Sequence, residues 1–244
     1  MRIETANLAG VVVATPVGRL DLVSYPVLRD CLLRLAADTP AALVVRLGLA
    51  FEAPTRTMLS VFTTVRLKIS QWPDIPVVLL AETDRHRDDL RTSGVARFLR
   101  VAGALTDVLD VVTSPPHRRF RRVPLPNSPA APLLARAVVR DACAEWDLPR
   151  LRDEAVLVVS ELVENAVRHA RSASVLRVEL RPAGLSLAVR DNDPTPPLLE
   201  YPDRDVPGHR GVQLVARISV AWGFAPSSDG GKTVWAVLGP SEDE

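Results

Sequence analysis

Apolar residues fall along the first half of the chain in two alternating rhythms. Residues 10–14 (GVVVA), 42–47 (ALVVRL) and 75–81 (IPVVLLA) are short, nearly continuous apolar runs, the pattern of strands covered on both faces. Between them, Val27, Leu28, Cys31, Leu32 and Leu35 recur at helical spacing within residues 25–37, and residues 61–70 keep the same period. Pro16 and Gly18 predict a turn after the first strand, and Pro40 closes the first helix. Further on, residues 87–94 predict the end of another helix, residues 98–101 a short edge strand and residues 104–112 a last helix. Strands alternating with amphipathic helices predict an α/β layer over residues 8–112.

The periodicity disappears over residues 113–132. Pro115, Pro116, Pro124, Pro126, Pro129 and Pro132 predict a stiff, extended linker there. Helical spacing returns at residues 133–146, with Leu134, Ala137, Val138 and Ala142 as the apolar stripe. Asp147-Leu148-Pro149 breaks that helix, and Pro149 suits the opening of the next. Asp153 and Glu154 favour the positive end of this second helix, which runs to about Ala170 with Ala155, Val159, Leu162 and Ala166 toward the core. Two strands follow at 175–181 and 185–190, then a long charged loop from 194 to about 207. A glycine-led helix at 208–215 and two last strands at 220–225 and 230–238 complete the pattern. The fold class expected is α/β in two domains, with the second over residues 133–240.

Composition adds exclusions. At 244 residues, 47% hydrophobic and 24% charged, the chain is a soluble globular type with room for two cores. A net charge of +1 gives no general attraction to nucleic acid or to a membrane. Residues 1–122 carry 17 basic and 12 acidic side chains, and residues 123–244 carry 13 and 17. Much of the asymmetry is the run Arg118, Arg119, Arg121 and Arg122, expected to be a solvated linker or an ionic contact to a neighbouring domain. Of 30 basic residues only Lys68 and Lys232 are lysine, a bias attributed to codon usage. Cys31 and Cys143 both lie in apolar helical patterns and are expected to be free thiols in a reducing compartment. The start of the sequence lacks a basic segment followed by a long apolar one, so no signal peptide is expected. No apolar run approaches the roughly 20 residues of a membrane helix, and a cytoplasmic location is expected.

Candidate chemistry concentrates in the second half. His86, flanked by Arg85, Arg87, Asp88 and Asp89, is expected to be a solvated loop residue. Glu161 and Asn165 in SELVENAVRH are four apart on a helix, off its apolar stripe, and so share a face. A carboxylate beside an amide oxygen suits phosphate chemistry with Mg2+, although an ordinary amphipathic helix carries such pairs too. Asp191 closes a strand, where a ligand contact and an ordinary turn are both common. Gly208-His209-Arg210-Gly211 leads into a helix whose free amides would suit phosphate oxygens. Gly230-Gly231-Lys232-Thr233 opens the last strand.

Two resemblances organise these features. Residues 8–112, with Gly18-Arg19-Leu20-Asp21 after the first strand, resemble the STAS domain of anti-sigma factor antagonists. That family implies an Asp-Ser pair whose serine is phosphorylated, but here Ala53-Pro54-Thr55 stands in its place. Proline has neither hydroxyl nor amide hydrogen, so the phospho-switch is expected to be lost. The order ELVEN, strand-ending Asp, glycine-led helix and GGKT resembles the Bergerat-fold (GHKL) ATPases, the superfamily of gyrase and histidine kinases. Within it the chain is most similar to anti-sigma factor serine/threonine kinases.

The second resemblance implies ATP and Mg2+ as ligands. It implies that Glu161 is the general base, that Asn165 coordinates Mg2+ and that Asp191 accepts from the adenine amine. Gly211 would belong to the phosphate lid, Thr233 would lie near the adenine and Arg210 would reach the phosphates, with Lys232 a weaker candidate. The chain departs from the family at His209, where the lid has glycine, and at Asn192-Asp193-Pro194, which lacks the glycine after the adenine aspartate. No histidine-bearing dimerisation helix precedes the domain, so a sensor histidine kinase is not expected.

The function these features lead to is a partner-switching serine/threonine protein kinase that phosphorylates an antagonist protein. Its partners would be a sigma factor or an anti-sigma factor antagonist (STAS) protein, with no direct nucleic acid and no membrane, and homodimerisation stays open. The alternative is a non-catalytic nucleotide-binding regulator that docks a partner through its STAS-like half.

Overall fold

The computed structural model describes residues 1–104, 106–108, 119–170, 172–182, 184–197 and 210–239. The chain divides into two compact units, Met1–Pro116 and His117–Glu244.

The first unit is built on a mixed sheet. Strands β1 (Arg2–Leu8), β2 (Val11–Arg19), β3 (Ala42–Leu47), β5 (Val77–Ala81) and β6 (Arg100–Ala102) lie in that order, and the short β4 (Phe51–Glu52) pairs with the end of β2. β1 runs antiparallel to β2 and the remaining pairs are parallel. Helices α1 (Ser24–Ala37), α2 (Ser60–Gln71) and α3 (Asp84–Thr92) share a core with one face of this sheet, where Leu28, Leu32, Val61, Phe62 and Val65 meet Leu43, Val45, Leu47 and Leu79. Val11, Val13, Val44, Val78 and Leu80 form a second core on the other face. Burial on both sides explains why β3 and β5 are apolar almost throughout.

Three expectations for this unit need correction. Residues 2–8 were not read as a strand, yet β1 pairs with β2 along its whole length. The two are joined by a two-residue turn, Ala9-Gly10, with φ of 50° and 85°, the twist that a tight hairpin needs. The turn expected at Pro16 and Gly18 is strand instead. Pro16 sits opposite Ile3, and Gly18, at φ 106°, bends β2 onto Phe51 of β4. His86 is not a solvated loop residue. It lies buried in α3, its Nε2 donates to the Phe51 carbonyl at 3.0 Å, and its ring meets Phe51 edge-on. Of the helix expected at residues 104–112, residues 106–108 are helical and 104 is not; residues 105 and 109–112 lie outside the described residues.

The second unit is an antiparallel sheet in the order β10-β11-β9-β8-β7 with helices on one face. Its strands are β7 (Arg119–Leu125), β8 (Ser174–Arg181), β9 (Gly184–Asp191), β10 (Ala221–Pro226) and β11 (Lys232–Leu238). Its helices are α4 (Ala131–Glu145), α5 (Arg152–Ala170) and α6 (Arg210–Ile218). Val139, Ala142, Val158, Val159, Leu162 and Ala166 of α4 and α5 pack onto Leu176, Val178, Leu187, Val189, Val234 and Ala236 of the sheet. α5 begins three residues after Pro149, with Asp153 and Glu154 in its first turn and Arg168 and His169 in its last. Both placements complement the helix dipole.

The linker expected over residues 113–132 is a strand over part of its length. β7 pairs antiparallel with β8 and carries Arg119, Arg121 and Arg122. Pro124 is tolerated because β7 is an edge strand, where a missing amide hydrogen breaks no ladder. Arg121 pairs with Glu145 and lies over the Trp146 ring. Cys143 is buried, Cys31 is partly buried, and both are free thiols. Among the described residues, no helix is long and apolar enough to cross a membrane.

Candidate functional site

α5 supplies one wall. Its buried stripe, Ala155, Val158, Val159, Leu162, Val163 and Ala166, fixes the rotation of the helix and leaves Glu161 and Asn165 half-buried on another face. Burial pushes the Glu161 carboxyl above its ordinary value; the neighbouring Glu164 carboxylate adds to this, and Arg168 opposes it. Asn165 makes no side-chain hydrogen bond among the described residues. Among those residues no group of three or more His, Cys, Asp or Glu is placed to hold a metal ion.

α6 brings its first turn against Glu161. A Cβ built on Gly211 would lie 2.1 Å from Glu161 Oε2 and 3.0 Å from its Cδ, well inside contact distance. Glycine is therefore what lets this helix approach the carboxylate, and the two separated sequence motifs meet here. α6 opens at Arg210, whose side chain lies outside the described residues, as do residues 198–209, which include most of the long charged loop, His209 and Gly208.

A second group of candidate residues lies on the sheet. β9 and β11 pair so that Leu185, Leu187 and Val189 stand opposite Leu238, Ala236 and Val234, all in the core beneath α4 and α5. The next pair on the same face is Asp191 opposite Lys232. Both are only 3% exposed. Lys232 Nζ donates to Asp191 Oδ1 at 3.0 Å, to the Asp193 carbonyl at 2.9 Å and to Asp193 Oδ2 at 3.2 Å. The Asp193 amide donates to the same Asp191 Oδ1 at 2.9 Å. No hydrogen bond among the described residues falls on Asp191 Oδ2. Burial pushes the Asp191 carboxyl up, against the downward pull of the Lys232 ammonium and the Asp193 amide. Backbone is tightly packed here as well, since a Cβ on Gly231 would lie 2.0 Å from the Asp191 carbonyl oxygen.

Thr233 lies elsewhere. It stands opposite Arg190, so its side chain falls on the sheet face away from Asp191. It is 3% exposed, and its Oγ1 is buried without a hydrogen-bond partner among the described residues. The structure thus joins Glu161 to Gly211 and Asp191 to Lys232, and leaves Thr233 off the face that carries Asp191. Sequence reading missed the role of Lys232. A usable signal was present, because the second half's single lysine among arginines, at the start of the last strand, suits a buried site that needs a compact ammonium.

In the first unit, Thr55 is exposed and extended just before a short 3-10 turn, Arg56–Leu59, and Pro54 beside it is exposed too. No serine stands at either position.

Comparison with known proteins finds similarities in both parts of the chain. Residues 125–238 match the model of the histidine kinase-like ATPase domain. Over the other part of the chain, solved structures are similar. One is an anti-sigma factor antagonist from Mycobacterium paratuberculosis, 24% identical, covering 46% of this chain and 94% of that one with a TM-score of 0.38. Two others are the anti-sigma factor antagonist SpoIIAA in its unphosphorylated form and the Bacillus cell fate determinant SpoIIAA in its phosphorylated form. They are 14% and 15% identical, each covers 46% of this chain, they are matched over 96% and 99% of their own lengths, and their TM-scores are 0.36 and 0.33. No curated protein matches the chain.

Proposed function

We propose that the second unit binds ATP with Mg2+ and phosphorylates a serine or threonine of an antagonist protein in a partner-switching system. The observation that carries this reading is the contact of Gly211 with Glu161, which sets a basic carboxylate against the turn assigned to the phosphates. The match of residues 125–238 to the histidine kinase-like ATPase domain supports it.

The residues fit the ligands. Asp191 Oδ2 is an uncommitted acceptor in a buried setting, which matches the exocyclic amine of adenine. The Asn165 amide oxygen is a hard ligand, and Mg2+ commonly takes one or two protein oxygens and completes its shell with phosphate and water. When bound, Mg2+ offsets charge on the phosphates and on the departing diphosphate. Arg210 opens the helix that meets Glu161 and is assigned to the phosphates.

Glu161 accepts the proton from the attacking hydroxyl as that oxygen bonds to the γ-phosphorus. The bond from the γ-phosphorus to the bridging oxygen breaks, and ADP leaves. Burial raises the proton affinity of Glu161, which brings it closer to what a general base needs near neutrality. Thr233 follows Lys232 on β11, with its side chain on the sheet face opposite to Asp191.

The first unit is assigned to protein binding, with a sigma factor or an anti-sigma factor antagonist as partner and no nucleic acid contact. Ala53-Pro54 in place of an Asp-Ser pair supports a docking role without a phospho-switch. Incubating the protein with ATP, Mg2+ and a panel of anti-sigma factor antagonist proteins tests the kinase reading. Phosphoserine or phosphothreonine on an antagonist, lost in Glu161→Gln, is the expected result.

The second reading, a regulator that binds nucleotide without turnover, is favoured by His209 at the lid position usually held by glycine. It predicts ATP binding with no phosphorylated antagonist and no difference between wild type and Glu161→Gln.

A further inference from the structure

Lys232 is the residue in this site whose geometry departs most from its expected role. An ammonium has three hydrogens and no acceptor. All three have partners here, at 3.0 Å on Asp191 Oδ1, 2.9 Å on the Asp193 carbonyl and 3.2 Å on Asp193 Oδ2. Nothing remains for a phosphate oxygen. The side chain is 3% exposed, sealed beneath the pair it makes with Asp191.

We infer that Lys232 is a positioning residue that sets which purine the site accepts, by holding Asp191 as a carboxylate whose free oxygen only accepts. This rests on the reading of the second unit as an adenine-nucleotide site. Two donors, the Lys232 ammonium and the Asp193 amide, converge on Asp191 Oδ1. With Oδ1 saturated, the carboxylate cannot rotate about its last bond without breaking both contacts, and Oδ2 alone is left to meet the base. The ammonium, 3.0 Å from Oδ1, opposes the burial that pushes this carboxyl up, and in the ionised form Oδ2 only accepts. An acceptor fixed at this point favours a 6-amino purine, which donates there, over a 6-oxo purine, which presents another acceptor. Asp193 belongs to the same device, because its carbonyl and carboxylate hold the ammonium in place. Its own carboxyl is held below the ordinary range, first by hydrogen bonding to Thr195 and further by Lys232.

A merely structural ion pair and a positioning role make different predictions for Asp191→Asn. With Lys232 present, the asparagine carbonyl oxygen must take the Oδ1 place, since both donors point at it. The amide nitrogen then takes the Oδ2 place and donates toward the base, and preference should reverse toward the 6-oxo purine.

The test is calorimetric binding of ATP and of inosine triphosphate, each with Mg2+, to the full chain. Wild type should prefer ATP by about 10- to 100-fold, the range of one hydrogen bond to a charged group. Asp191→Asn should prefer inosine triphosphate. Lys232→Met, if thermal unfolding shows it folded, should lose discrimination to within about threefold, because the buried carboxyl, without its counter-ion, can take up a proton and then donate as well as accept. If Lys232→Met does not fold, Asp191→Asn decides alone. Asp191→Asn that still prefers ATP, or folded Lys232→Met with wild-type preference, overturns the role of Lys232 while leaving nucleotide binding intact. Wild type that binds neither nucleotide overturns the nucleotide reading and this inference with it.

Discussion

Gly211 and Glu161 touch: a Cβ on the glycine would fall 2.1 Å from the Glu161 carboxylate. The contact joins the first turn of α6 to the middle of α5, two segments 50 positions apart in the sequence. Gly211→Ala should therefore displace either the carboxylate or the helix. Misplacement by about 1 Å lowers phosphotransfer by about 100-fold. Gly230→Ala is the matched control. Gly230 has a φ of 96° but open space around its Cβ position, so it should cost about 1 kcal/mol of stability and leave phosphotransfer nearly unchanged. Phosphotransfer rates and urea unfolding of the two variants check this.

Glu161→Gln keeps size and loses the base. Phosphotransfer should fall about 100- to 10,000-fold, while ATP affinity changes by less than about threefold. Parallel loss of affinity would instead assign Glu161 to ligand binding.

The pH dependence follows from the burial of Glu161. Its carboxyl is shifted up, first by burial and then by Glu164, with Arg168 pulling the other way. Only the ionised form accepts a proton, so activity should fall as pH falls through this raised value. Glu164→Gln removes a like charge and should move that acid limb to lower pH. Arg168→Gln removes an opposite charge and should move it higher. Rates measured from pH 5 to 8 give both directions.

His86 supplies a stability test within the first unit. Its Nε2 donates to the buried Phe51 carbonyl, which closes the β4 segment onto α3. His86→Phe preserves the ring and removes the donor, and should cost about 1–3 kcal/mol. Chemical unfolding monitored through the first unit reads this directly.

These residues also show where the sequence was legible. The strands 42–47 and 75–81 and the long helix ending at Ala170 were readable because burial on one or both faces leaves an unmistakable apolar period. Glu161 and Gly211 stood out in separate motifs of the sequence, and the packing of α6 on α5 brings them together. β1 was missed because its residues are mostly exposed, so no apolar rhythm marks it. β7 looked like a linker because its prolines and arginines suit an edge strand as well as a loop. His86 looked solvated from its charged neighbours, although a helix sends consecutive residues to different faces. For Lys232 the sequence offered only the signal of a rare lysine, since its partners Asp191 and Asp193 lie some 40 positions earlier and the β9–β11 pairing brings them together.

The central claim is that Asn165 and Asp191 belong to one site for ATP and Mg2+. Calorimetric titration of ATP, with Mg2+ and with chelator, into wild type and Asn165→Ala tests it most directly. The account predicts that wild type binds ATP at least 10-fold tighter with Mg2+ than without, and that Asn165→Ala loses this difference while retaining its metal-free affinity. Wild type that fails to bind ATP, or Asn165→Ala with the full Mg2+ dependence, would contradict it.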